Sequence, residues 1–291
     1  MTQIIDGKQI AASIRTDLQG KIQKLRQKNI IPGLAVVLVG DDPASQSYVT
    51  AKERACEEIG ISSFDYRLPN NTQQAALLDL IAQLNADPRI HGILVQLPLP
   101  RHIDETAVLL AINPDKDVDG FHPVSVGRML LGQPTFLPCT PHAVMQMLAR
   151  SGVTLQGKHA VVIGRSNIVG KPLANLLMRK SQQANATVTV CHTATPDIAK
   201  FTRQADVVIA AAGRPNTLTA DMVRDGVVVI DVGVNRVPDA SKKSGYRLVG
   251  DVDFDAVSRK AAMITPVPGG VGPMTITMLL ANTVQSAEQH G

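Results

Sequence analysis

The chain has 291 residues, 44% hydrophobic and 19% charged, a balance that folds into globular domains and excludes disorder. That length accommodates two domains, each with its own core. The net charge of +4 comes from scattered Lys and Arg without a basic block, and aromatics make up only 3%, which argues against nucleic acid and suits small anionic ligands.

In chain order, residues 11–28 place Ile14, Leu18, Ile22 and Leu25 on one face of an amphipathic helix. The opening residues meet Asp6 and Lys8 too early for a signal peptide, and no apolar run is long enough to span a bilayer, so a soluble cytoplasmic protein is expected. Residues 34–39 form a continuous apolar run ending at Gly40, as a buried parallel strand does. Asp42 then caps a helix with Pro43 in its first turn, running to Gly60. On it Tyr48 and Lys52 share a face, near the end expected at the sheet's carboxyl edge, where α/β ligands bind. On their own, a solvated lysine beside a partly covered tyrosine is the commoner arrangement.

A second strand over 64–68 precedes a helix with Leu77, Ile81 and Leu84 on one side. A third, 92–97, carries Gln96 at its carboxyl end and stops at Pro98. After a short helix over 104–112 comes a polar loop with Asp115, Asp117 and Asp119; it lacks the downstream glutamate of a calcium-binding EF-hand and is more often a turn. No metal-ligand set is visible: the histidines never pair at i, i+4, and Cys56, Cys139 and Cys191 are isolated, which indicates a reducing compartment.

A proline-rich connector leads to a helix from Pro141 to Arg150. The β-branched run Val161, Val162, Ile163 then stops at Gly164, and a helix pattern resumes at Gly170. Such a strand, turn and helix start is where a nucleotide sits, its pyrophosphate facing the helix N-terminus. Ser166 stands where the usual motif has its middle glycine, so taken alone the segment is also compatible with an ordinary βα turn. After the next strand, 187–191, the sequence offers His192 and Thr193, with no acidic residue before Asp197 to hold a ribose diol. Arg165, Thr193 and His192 could instead donate to a ribose phosphate, which favours NADP over NAD. Strands at 207–211 and 227–231, an irregular arm over 232–246, a short strand at 262–265 and a helix over 274–288 complete the chain. The loop 266–273, rich in glycine and proline, suits either close approach to a flat ligand or an inter-domain turn.

The motifs YVTAK from Tyr48, VQLPLP from Val95, DKDVDGF from Asp115, PCTP from Pro138, GRSNIVGKP from Gly164 and PGGVGPMT from Pro268 occur in that order. Together they resemble the bifunctional methylenetetrahydrofolate dehydrogenase/methenyltetrahydrofolate cyclohydrolase family over essentially the whole chain. The resemblance overrides the solvated-lysine reading. It implies two α/β domains with a cleft between them: a folate-binding catalytic domain, 1–120, joined by the C-terminal helix 274–288; a connector and linking helix, 121–158; and a Rossmann-type NADP-binding domain, 159–273. It further implies Lys52 as the catalytic lysine with Gln96 and Tyr48 beside it, Tyr48 lining the site next to the p-aminobenzoyl ring, and Asp119 binding the pterin. The substrate site includes Val95, Gln96, Leu97 and the loop residues Pro268, Gly269, Gly270, Val271 and Gly272. NADP is assigned to Gly164, Arg165, Ser166, Gly170, His192, Thr193 and Val234.

The implied activity is NADP-dependent oxidation of 5,10-methylenetetrahydrofolate to the methenyl form and its hydrolysis to 10-formyltetrahydrofolate, in one-carbon metabolism. A homodimer and a substrate that can carry a polyglutamate tail are further expectations. One position departs from the family: Ala143 stands where glycine is usual. The rival readings are a dehydrogenase without hydrolysis, whose signature is accumulating methenyl intermediate, and a non-catalytic NADP-binding regulator, whose signature is binding without turnover.

Overall fold

A computed structural model describes residues 2–242 and 245–291. The chain opens with β1 (Gln3–Ile4) and α1 (Gly7–Arg26), then β2 (Gly33–Val39), α2 (Pro43–Ile59), β3 (Ser62–Leu68), α3 (Gln74–Ala86) and β4 (Gly92–Val95). Helices α4 (Glu105–Ala111), α5 (Pro123–Leu130) and α6 (Cys139–Arg150) follow. Next come β5 (His159–Ile163), α7 (Gly170–Met178), β6 (Thr187–Cys191), α8 (Ala199–Thr202), β7 (Val207–Ala210) and β8 (Val228–Asp231). A hairpin of β9 (Asn235–Pro238) and β10 (Tyr246–Val249), then α9 (Phe254–Val257), β11 (Met263–Ile264) and α10 (Val271–His290), end the chain.

These elements form two compact units, one of residues 12–139 and 276–291, the other of residues 1–11 and 140–275. The sequence pattern begins the first domain at residue 1 and sets 121–158 apart as a connector. The first residues instead join the second unit, because Gln3 and Ile4 pair in parallel with Met263 and Ile264. The supposed connector is divided between the units and contains α5. Its start was readable: His122 accepts from the Val124 N–H through Nδ1 at 3.1 Å, with Pro123 in the first turn.

In the first unit, a parallel sheet of order β3-β2-β4 has β2 at its centre, and all seven β2 residues are buried. Each large aliphatic residue there contributes roughly 1.5–3 kcal/mol through burial. One face of the sheet packs with Leu77, Ile81 and Leu84 of α3. Helix α2 follows its sequence signals closely. Asp42 accepts from the Ser45 N–H at 2.8 Å, Pro43 opens the first turn, and Gly60 closes the helix at φ +90°.

In the second unit, six parallel strands run in the order β1-β11-β8-β7-β5-β6. From β5 the chain goes to β6 on one side and then returns to β7 on the other. That reversal opens a ligand crevice at the carboxyl ends of β5 and β7. The arm expected over 232–246 is ordered at both ends into the β9–β10 hairpin, while Lys243 and Ser244 lie outside the described residues.

Candidate active site

The first unit's sheet also has a reversal, between β2 and β4: the connection after β2 leads to β3 on one side, and β4 pairs on the other. Lys52 projects from the helix after β2, and Gln96 directly follows β4. The two meet across this point, where Lys52 Nζ donates to Gln96 Oε1 at 2.9 Å. Gln96 is itself fixed, its Nε2 donating to the Leu97 carbonyl at 2.6 Å and its backbone N–H to the Val37 carbonyl at 2.8 Å. Lys52 sits in the middle of α2 and not near its start, as the sequence reading had it. Burial pushes its pKa below the usual lysine range, opposed by the negative charge of Asp119. Asp119 is driven upward by burial, with Lys52 pulling the other way. Tyr48, one helical turn before Lys52, is 42% exposed.

The loop that carries Asp119 is built around Asp117. That buried carboxylate accepts from the N–H groups of Phe121 and His122 at 3.2 and 2.8 Å and from Ser125 Oγ at 2.8 Å. Burial raises its pKa to about 6 despite these donors. The loop turns at Gly120, φ +73°, where a Cβ would lie 2.6 Å from the Pro138 nitrogen. From α10, Asn282 Nδ2 donates to the carbonyls of Val118 and Leu137 at 2.8 and 3.0 Å. Cys139 Sγ donates to the Val118 carbonyl at 3.3 Å. Sequence reasoning gave Asp117, Asn282 and Cys139 no role in this site; the motifs DKDVDGF and PCTP contain the first and the last without indicating a contact, and Asn282 lies in neither.

Two expected substrate residues differ in kind from the rest. Val95 is 4% exposed and its side chain belongs to the core, so only its main chain can meet a ligand. Leu97 lies beyond the strand and packs partly against the same core.

In the second unit, β5 is followed by Gly164, φ +125°, where a Cβ would fall on the carbonyl oxygen of Ala211, the residue after β7. A Cβ on Gly170 would fall on the Gly164 carbonyl in the same way. Both glycines therefore answer to close backbone approach. Ser166 Oγ accepts from the N–H groups of Val169 and Gly170 at 3.1 and 3.4 Å, so it caps α7. The serine hydroxyl thus occupies part of the helix N-terminus that the sequence pattern assigns to a pyrophosphate. Arg165 and Thr193 are exposed. His192 Nδ1 accepts from the Ala194 N–H at 3.2 Å, which leaves Nε2 as the donor of the neutral ring.

The loop after β11 reaches Gly269 at φ +105°, and a Cβ on Gly270 would come 2.5 Å from the Pro266 carbonyl oxygen. Helix α10 starts at Val271, so Val271 and Gly272 belong to its first turn rather than to the loop. Ala143 is buried within α6, where a helical conformation needs no glycine.

Residues 5–119 match the catalytic domain, and residues 138–291 the NAD(P)-binding domain, of tetrahydrofolate dehydrogenase/cyclohydrolase. The chain belongs to this family. It is 56% identical over 288 residues to the bifunctional protein FolD of Chloroherpeton thalassium, covering 98% of each chain. The crystal structure of the bifunctional FolD enzyme from Campylobacter jejuni superposes with a TM-score of 0.94 at 54% identity, covering 99% of both chains. That of the Trypanosoma brucei dehydrogenase-cyclohydrolase, complexed with NADP and an inhibitor, gives 0.94 at 44% identity, with 99% and 98% covered. As a member of the family, the chain is an NADP-linked methylenetetrahydrofolate dehydrogenase and methenyltetrahydrofolate cyclohydrolase.

The second unit suits that cofactor. Gly164 and Gly170 allow the close backbone packing of the strand, turn and helix start, and Arg165, Thr193 and the His192 Nε2–H are donors at the ends of the paired strands β5 and β6. No helix among the described residues is long and apolar enough to cross a membrane.

Proposed function

We propose that Lys52 serves the hydrolytic step and that the residues around it orient the folate for both steps. The observation that carries this is the partly buried Lys52 ammonium, held by a neutral amide at 2.9 Å and pushed toward its neutral form. A neutral amine at this position can act as a general base. Water adds its oxygen to the methenyl carbon and gives one proton to Lys52. The bond from that carbon to N5 then breaks as the second water proton moves to N5, leaving the formyl group on N10. Lys52 returns its proton to solvent.

Asp119 accepts the adjacent N–H donors of the pterin, Tyr48 lies along the p-aminobenzoyl ring, and the main chain of 95–97 lines the substrate. Bound NADP supplies the hydride acceptor for the first step. The protein's part in that step is alignment by Gly164, Arg165, Ser166, Gly170, His192, Thr193 and Val234.

The finer reading takes a polyglutamylated folate as substrate, supported by exposed Lys8, whose Cε lies 3.5 Å from where a Gly269 Cβ would stand. The enzyme acts as a homodimer; in support, β6 lies at the sheet edge with Val190 38% exposed. A cytoplasmic setting agrees with three unpaired, buried cysteines.

The test follows nicotinamide reduction and methenyl absorbance together, with 5,10-methylenetetrahydrofolate and either NADP or NAD. Reduction that prefers NADP without methenyl build-up is expected. Persistent methenyl would remove the hydrolytic role of Lys52, and equal use of NAD would remove the Arg165 argument.

A further inference from the structure

A polar cluster of the second unit lies at the carboxyl ends of β7 and β8 and is not used by the chemistry above. Asp251 is completely buried. Its Oδ2 accepts from the N–H groups of Ala212 and Gly213 at 2.7 and 2.8 Å, in the turn after β7. Its Oδ1 accepts from Asn235 Nδ2 at 2.9 Å. Its backbone N–H donates to Asp231 Oδ1 at 2.9 Å, and its carbonyl accepts from Thr217 and Leu218. Asp231, at the end of β8, also holds the Gly233 N–H at 3.0 Å and the Val252 N–H at 3.0 Å. Glycine is required twice here: a Cβ on Gly233 would land on Asp251 Oδ1, and one on Gly250 on Asp231 Oδ2.

Two consequences follow from this geometry. Each carboxylate accepts three hydrogen bonds from the surrounding chain, so both are held in place. And Val234, which is 46% exposed, is clamped from both sides, its neighbour Gly233 by Asp231 and its neighbour Asn235 by Asp251. A buried acid is no better for stability than well-packed apolar residues, so what it contributes is fixed geometry.

In a doubly wound sheet the dinucleotide spans the reversal in strand order, with one half over each side. The ribose-phosphate donors His192 and Thr193 follow β6, which places the adenosine half over β5 and β6. The nicotinamide half therefore falls over β7 and β8, the edge that Asp251 holds together.

We propose that Asp251 is a positioning residue for the nicotinamide half of the cofactor. It fixes the 212–213 turn and the 233–235 strap so that Val234 and nearby main chain present a preformed surface. This rests on the dinucleotide reading of the same edge.

The test is Asp251→Asn. Asn can still accept from Ala212 and Gly213, but its amide then faces the Asn235 amide, donor against donor. NADPH affinity, followed by its fluorescence, and the KM for NADP should both weaken about tenfold, a change of about 1.4 kcal/mol. Binding of adenosine 2′,5′-bisphosphate, which carries only the adenosine half, should hold, as should hydrolysis of methenyltetrahydrofolate supplied directly. Should that variant fail to fold, Asn235→Ala removes a single strut and should give about a threefold effect with the same split. Unchanged NADPH affinity, or equal weakening of NADPH and the bisphosphate, would overturn the inference. If the wild-type protein bound no NADPH, the dinucleotide reading would fall and the inference with it.

Discussion

Each unit buries acidic side chains, but they are satisfied to different degrees. Asp231 and Asp251 meet backbone donors on nearly every side. Lys52 and Asp119 face each other's charge with little else: one amide for the lysine, and a cysteine beside the aspartate. A buried charge whose hydrogen bonds are complete is a strut, because nothing is left for a ligand to satisfy. One left incomplete stays costly until a substrate or a proton arrives, and that is the condition under which a group becomes reactive. Asp117 shows both kinds within one loop, since it is a saturated strut two residues from Asp119.

The sharpest way to break this contrast is to remove the reactive member. Lys52→Met should lower hydrolysis of the methenyl substrate by roughly 10²–10⁴-fold, the range for loss of a general base. Dehydrogenation should suffer much less, so methenyl absorbance accumulates. In the wild type, hydrolysis should rise with pH through a Lys52 pKa below the ordinary 10.5, because the neutral amine is the active form. Intact hydrolysis in the variant would show that the lysine is merely buried.

Asp119→Asn should be next in size. Loss of a charge-assisted acceptor costs about 1.5–3 kcal/mol, so kcat/KM of both activities should fall together by roughly 10–100-fold. A loss confined to one activity would mean that Asp119 takes part in a step rather than holding the pterin. Gly164→Ala carries the contrast to backbone. It forces a side chain into φ +125° and onto the Ala211 carbonyl, and should cost about 1–3 kcal/mol of stability together with NADP affinity. Thermal unfolding and an NADPH titration on the same sample would check both.

What could be read from the sequence divides along the same line. The strands and α2 were legible because local signals suffice: a β-branched run for β5, and Asp42, Pro43 and Gly60 as punctuation for α2. The glycine turn was legible because its constraint is steric and lies within a few residues. Lys52, Gln96 and Asp119 were not legible from physics alone, since residues 44 apart meet only once β2 and β4 pair; the ordered motifs carried them. Asp251 and Asn282 left no local mark. An aspartate after a strand reads as a turn, and an asparagine in an apolar helix as a tolerated exception, until partners 39 and 164 residues away arrive. Helix α5 carried a local signal in His122 and Pro123, but histidine is an uncommon cap and glycines and prolines surround the segment.

The smallest effect is a pH slope. The two struts Asp117 and Asp231, one in each unit, both have pKa values raised to about 6 by burial, above the ordinary 3.8. The native state therefore holds protons that the unfolded chain has released between these values. The resulting stability is complete below 3.8 and is lost as pH rises through 6. Asp231→Asn should flatten that slope, and Asp117→Asn should flatten it separately. Each variant should also lower stability at neutral pH, because an amide cannot accept all the donors that a carboxylate does. Urea unfolding between pH 4 and 7 reads both effects. A slope that survived in both single variants and in the double variant would place the titrating groups elsewhere, and would mean that these carboxylates stay ionised because their donors outweigh their burial.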